Sequence, residues 1–193
     1  MAEHKLSLKE SKVIQVSLLM YLCAVLASAF LETWSILILN LIIATVCSIS
    51  YFILWMLYKD QRRRYFSLAS FVMLNGFAIF FAVPFLVFIY GSISFWVGVL
   101  LVISMLLVPY LFSEEIALSV NKPYKTRLGR VYIILSSMLL IFGSGVYADS
   151  LYSQTTDLLQ ASLYTFLFSL CCWFVAPVLL IKPKKMDEVM AEK

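Results

Sequence analysis

The interiors of the six apolar runs in this 193-residue chain hold no Asp, Glu, Lys, Arg or His. Ionisable side chains inside a membrane mark proton relays, ion paths and voltage sensors. Their absence argues against a proton-coupled pump and a voltage sensor, and leaves room for neutral solutes or for sodium held by carbonyls. Histidine is nearly missing: His4 is the only one, in an N-terminal tail expected to be mobile. No His-Glu-x-x-His, Cys-x-x-Cys, phosphate-loop or nucleophile-elbow pattern occurs. The chain is therefore not expected to be an enzyme, and no catalytic residue, metal or cofactor is expected. The four cysteines (Cys23, Cys47, Cys171, Cys172) all fall inside apolar runs, so no disulfide framework is indicated. There is no Asn-x-Ser/Thr sequon, and only six glycines.

Apolar length is abundant. The hydrophobic fraction is 63% and the mean hydropathy +0.95, where an ordinary soluble domain is roughly 45–50% apolar. A spanning helix needs roughly 20 apolar residues. The runs Val13–Phe30, Trp34–Tyr58, Phe66–Tyr90, Ile93–Phe112, Val131–Tyr147 and Ala161–Ile181 meet or approach that length. They are continuous and do not alternate with period two, which excludes a barrel. The expected fold is all-α: a polytopic integral membrane protein, a bundle of six transmembrane helices forming one domain over residues 1–193. The fifth run is the shortest and contains Gly143 and Gly145. Without it the C-terminal lysines would lie outside.

All fifteen basic residues fall into four segments: Lys5–Lys12, Lys59–Arg64, Lys122–Arg130 and Lys182–Lys193. The positive-inside rule puts these segments and both termini in the cytoplasm. Eight of the eleven acidic residues join them, and Glu32, Asp149 and Asp157 go outside. The net positive charge thus reflects topology, and nucleic acid is excluded for lack of a soluble domain to bind it. Aromatic residues fit the same frame, with Trp34, Tyr90, Trp96, Tyr147 and Tyr164 near the outer interface and Trp55, Tyr58, Tyr65, Tyr110 and Tyr132 near the inner one. Ala27-Ser28-Ala29 has the form of a signal cleavage site. The apolar run before it exceeds the roughly 7–15 residues of a signal core, so a retained helix is expected. Lys outnumbers Arg ten to five, a bias of AT-rich bacterial genomes, and the expected location is the bacterial cytoplasmic membrane.

Between the helices, Gly91-Ser92 predicts a tight outer turn. Ser113–Leu118 continues the fourth helix until Asn121-Lys122-Pro123 breaks it. The Asp149–Gln160 loop has room for a short interfacial helix. Pro84, Pro109 and Pro177 fall inside runs and remove the bonds to the carbonyls of Phe80, Met105 and Trp173. No three-plus-three inverted repeat is present.

Membrane helices meet through small residues and hydrogen bonds, so small residues at heptad-like spacing mark buried faces. Such stripes are Ser17, Tyr21, Ala24, Ser28; Asn40, Ala44, Cys47, Tyr51; Ser67, Phe71, Asn75, Ala78, Ala82; and Ser162, Thr165, Ser169, Cys172, Ala176. Helices four and five show it less, through Ser94–Gly98 and Ser137–Ser144. Asn40, Asn75 and Ser169 are the candidate polar or packing positions, and Ala24, Ser28, Ala78 and Ala82 the candidate helix contacts. An unpaired amide in hydrocarbon is costly. Asn40 and Asn75 sit at depths differing by roughly 7 Å, so they either bridge or find separate partners.

In length and helix count the chain is similar to the substrate-capture subunits of energy-coupling-factor vitamin transporters. Those carry an Ala-rich small-xxx-small motif on the first helix that docks the partner; here Cys23-xxx-Ala27 and Ala24-xxx-Ser28 stand in that place. Small polytopic proteins of bacterial toxin-immunity and secretion gene clusters also look like this. Two functions are therefore expected. The first is a non-enzymatic inner-membrane protein acting through helix contacts with another membrane component, as an accessory subunit or an immunity protein. The alternative is a small solute transporter or its substrate-binding subunit. The partners expected are the lipid bilayer and another membrane protein or a second copy, with the functional surface on helices one, three and six.

Overall fold

The computed structural model of the protein describes residues 6–29, 34–124, 126–153, 158–182 and 185–188, and excludes the side chains of 146–153. His4, Glu32, Asp157 and the side chain of Asp149 thus lie outside the described residues. The described chain is helical, with no strand: α1 (Val13–Ala29), α2 (Trp34–Tyr58), α3 (Arg62–Phe88), α4 (Ile93–Leu111), α5 (Ser113–Asn121), α6 (Arg127–Ser153), α7 (Leu158–Val175) and a 3-10 turn, Ala176–Leu180. Five helices are long and apolar enough to cross a membrane, and α1 is a shorter apolar helix. The protein is an all-α, multi-pass membrane bundle.

Besides the early starts of α6 at Arg127 and of α7 at Leu158, the chain departs from the sequence reading in four places, each with a local cause. The chain between Leu6 and Ser11, at the start of the expected mobile tail, is pinned. Ser7 and Glu10 bond reciprocally, Ser7 N to Glu10 Oε2 at 3.1 Å and Glu10 N to Ser7 Oγ at 3.3 Å, the capping-box arrangement. Lys12 then takes a left-handed φ of 56° and turns the chain into α1. Secondly, α3 starts at Arg62, one turn before the apolar run. The third difference is α6, which extends to Ser153 and absorbs much of the expected outer loop. Lastly, α7 ends at Val175, because Pro177 has no N–H to return to Trp173, and the chain tightens into a 3-10 turn.

The turn between α3 and α4 forms where Gly91-Ser92 predicts it. Gly91 has φ 81°, a region open to glycine at little cost, and Ser92 Oγ accepts from Phe95 N at 3.3 Å to cap α4. α4 runs through Pro109 to Leu111, and α5 follows as a separate helix with Glu114 and Glu115 in its first turn, where the helix dipole favours acid.

α3 is the central element. It packs against α1, α2 and the 3-10 turn, and most extensively against α7. One core joins α1, α2 and α3 around Met20, Ala44, Tyr51 and Phe80; a second joins α3 and α7 around Ala78, Ala82, Phe166 and Trp173. α4 and α6 flank α7.

The first turns of α3 hold both ends of the described chain. Tyr65 OH donates to Ser11 O at 3.0 Å, while Trp55 of α2 donates to Leu6 O at 3.1 Å. Arg64 donates to Leu180 O at 2.8 Å and Ile181 O at 3.3 Å, and Ser67 Oγ donates to Leu179 O. These carbonyls end the last helical segment and have no donor within it, and a cation at a helix C-terminus is favourable. Arg64, which sequence reads as a topology signal, is thus also a cap. Lys185 pairs with Glu114 at the same face. That hydrogen bond, then the carboxylate charge, raises the Lys185 ammonium above its ordinary range. Both groups are exposed, and such pairs contribute little.

Candidate functional site

The candidate polar and small residues are placed inside the bundle. Asn40 and Ser169 are 0% exposed, as are Ala24 and Ala78; Ala82 is 2% and Ser28 5%. The buried residues of α2 are Asn40, Ala44, Cys47 and Tyr51, the stripe read from the sequence. On α1 the stripe is rotated: Met20, Ala24, Ala27 and Ser28 are buried and Tyr21 is exposed, with its hydroxyl 2.9 Å from Thr45 Oγ1.

Three of these residues form one relay. Asn40 Nδ2 donates to Ser28 Oγ at 2.9 Å, and Ser28 Oγ donates to Ala24 O at 2.7 Å. Asn40 Oδ1 is buried with no partner among the described residues. Asn75 does not join them; its Nδ2 bonds to Phe71 O of its own helix at 2.8 Å. The two asparagines therefore have separate partners. Ser169 Oγ likewise returns to Phe166 O at 2.7 Å.

An inverted order of effects follows. Ser28→Ala removes the acceptor of a buried amide and leaves the whole Asn40 carboxamide unpaired, at about 1–3 kcal/mol. Asn40→Leu removes that carboxamide, and Ser28 keeps its own bond, so the cost is smaller. Asn75→Leu loses one local bond at half-buried depth, about 0.6 kcal/mol. Thermal unfolding in detergent ranks the three. A larger loss for Asn40→Leu than for Ser28→Ala would break the relay account.

The described residues also form a cavity and a groove. A cavity of about 170 Å³ lies between α1, α3 and α7, lined by Cys23, Phe80, Pro84, Ser162 and Thr165 among others. Pro84 leaves the Phe80 carbonyl without its helical donor. Ser162 and Thr165 spend their hydroxyl protons on Leu159 O and Ser162 O. The lining is thus almost wholly apolar. The second is a groove of about 630 Å³ among α4, α6 and α7, lined by Leu, Met, Val, Phe and Tyr side chains and Cys171. Among the described residues no three His, Cys, Asp or Glu gather as a metal site.

One small-residue face is not used internally. On α6, Ser137, Ser144 and Gly145 are exposed, and a Cβ built at Gly143 or Gly145 meets nothing within 4 Å. Only 6% of the apolar window of α6 is buried, against 44% for α7 with its 3-10 turn. The sequence signal was the Ser137–Ser144 pair, weaker than the other stripes. Comparison with family models, with curated proteins and with solved structures finds no match for this chain.

Proposed function

We propose that the protein is a non-enzymatic component of a bacterial cytoplasmic membrane, crossing it six times with both termini inside, and acts by docking a helix of another membrane protein. The observation that carries this reading is the open face of α6. Ala24, Ser28, Ala44, Ala78, Ala82 and Ser169 are covered by the chain's own helices, whereas Ser137, Ser144 and Gly145 face outward. Lipid gains nothing from small side chains, while a second helix gains close approach. An accessory subunit or an immunity protein needs such a face and no catalytic group.

Photo-crosslinking residues at positions 137 and 144, in cells, test it. A protein adduct of defined mass is expected there and none at Leu100, a 64%-exposed position of α4. The same lipid-only pattern at all three sites refutes the docking face. The topology has its own check in a Cys-free background: an outside reagent should label cysteines at 32 and 153 but not at 62 or 125.

The second reading, a small solute transporter or its binding subunit, is favoured by the cavity between α1, α3 and α7. Its almost wholly apolar lining suits a small neutral apolar solute. Thermal stabilisation by such a solute, abolished in Thr165→Leu, would move the assignment there.

A further inference from the structure

We propose that the groove among α4, α6 and α7 holds an acyl chain of an anionic inner-leaflet phospholipid, with its headgroup at Arg127. The volume, about 630 Å³, falls within the roughly 300–1,000 Å³ of ligand pockets. Along α6 the lining runs from Leu128 to Phe142, about 21 Å at the helical rise, the reach of one extended chain.

The walls distinguish a lipid tail from a helix. None of the lining residues is Gly, Ala or Ser, the residues that let helices approach. The lining offers Met105, Met138 and several leucines instead, side chains that adapt to a flexible apolar occupant. The small residues of α6 lie elsewhere, at Ser137, Ser144 and Gly145. The groove is thus a different surface from the proposed docking face, and does not depend on it.

The cytoplasmic mouth supplies the charge. Arg127 lies one turn below Val131, on the row that continues through Leu135, Met138 and Phe142. Arg127 is exposed, while Arg130 lies on the Ser137 row, away from the groove. Of the acidic residues on the neighbouring α5, Glu114 is held by Lys185. At the inner end Tyr132 stacks on Phe174, centroids 5.7 Å apart, at the depth where aromatic rings meet headgroups. In the proposal a phosphate at that level meets Arg127, and its chain enters the groove from the side.

The test uses the full-length protein in nanodiscs of equimolar phosphatidylcholine and phosphatidylglycerol with identical acyl chains, followed by native mass spectrometry. One retained phosphatidylglycerol per protein is expected. Each basic residue near a membrane surface is worth about fivefold in affinity. Arg127→Gln should therefore reduce the phosphatidylglycerol preference about fivefold, whereas Arg130→Gln, on the Ser137 row of α6, should change it little. Leu135→Trp, at a 52%-exposed position, should displace both lipids with little change in unfolding temperature. A phosphatidylglycerol with a photoreactive acyl chain should map to Leu135, Met138 and Phe142. Equal retention of both lipids by the unaltered protein, adducts spread evenly over α2 and α4, or retention unchanged in Leu135→Trp would each overturn the proposal. So would a protein adduct at 138 or 142 in cells, which would make a helix the occupant.

Discussion

Ala78→Phe should lower the unfolding temperature in detergent by about 10 °C, from a loss of about 3 kcal/mol. Ala78 is 0% exposed and lies in the core that α3 shares with α7, beside Ala82, Phe166, Cys172 and Trp173. Those two helices make the most extensive interhelical packing in the protein. With lipid outside as apolar as the core, van der Waals contact is much of what holds them. A ring at position 78 either separates the axes or pushes Phe166 and Trp173 off their rotamers. Ile103→Phe, at a 48%-exposed site on α4, adds similar bulk toward lipid and should change little. If the two variants unfold alike, α3 and α7 do not approach closely at Ala78.

Gly129→Ala should be the costliest single-methyl change, about 1–3 kcal/mol, and should loosen the corner between α5 and α6. A Cβ at Gly129 would sit 2.6 Å from Pro123 O and 2.7 Å from both Pro123 Cα and Ser119 O. All three are backbone atoms, so the corner itself must move. Two bonds that depend on it would suffer: Gly129 N to Thr126 Oγ1 at 3.0 Å, which caps α6, and Thr126 Oγ1 to Ser119 Oγ at 3.0 Å. Gly76 is the informative comparison. Its Cβ would lie nearer to a neighbour, 2.2 Å from Met20 Cε, but that atom is the free end of a flexible side chain. Gly76→Ala should therefore cost less despite the shorter distance. Hydrogen exchange should show the Gly129 variant opening around residues 119–129, and a larger loss at Gly76 would contradict this.

The periodic parts of the fold were legible, and the ends of elements were not. α2 occupies its predicted bounds and buries its predicted stripe because both follow from spacing within one helix. The reach of α6 to Ser153 was hidden: residues Ala148–Ser153 include Asp149 and two serines, and polar residues at a helix end do not announce that the helix continues past the apolar run. The role of Arg64 was hidden too. Its partners, Leu180 and Ile181, are more than a hundred residues away and present only carbonyls, which carry no side-chain signature. The pairing of Asn40 with Ser28 depends on the mutual rotation of α1 and α2, and neither helix alone specifies that rotation.

Composition and periodicity alone determined that this chain is an all-α, multi-pass membrane protein. Hydrocarbon admits only backbone that bonds within itself, and that demand is written into every run. The segregation of basic residues set the topology to be tested. Only the tertiary structure decided which small residues are already spent on internal packing and which remain exposed. Burial depends on which helices are neighbours, and one-dimensional spacing holds no neighbours. The open face of α6 and the groove beside it exist because, among the described residues, α6 packs mainly against α5 and α7 and stands away from the α1–α3 core.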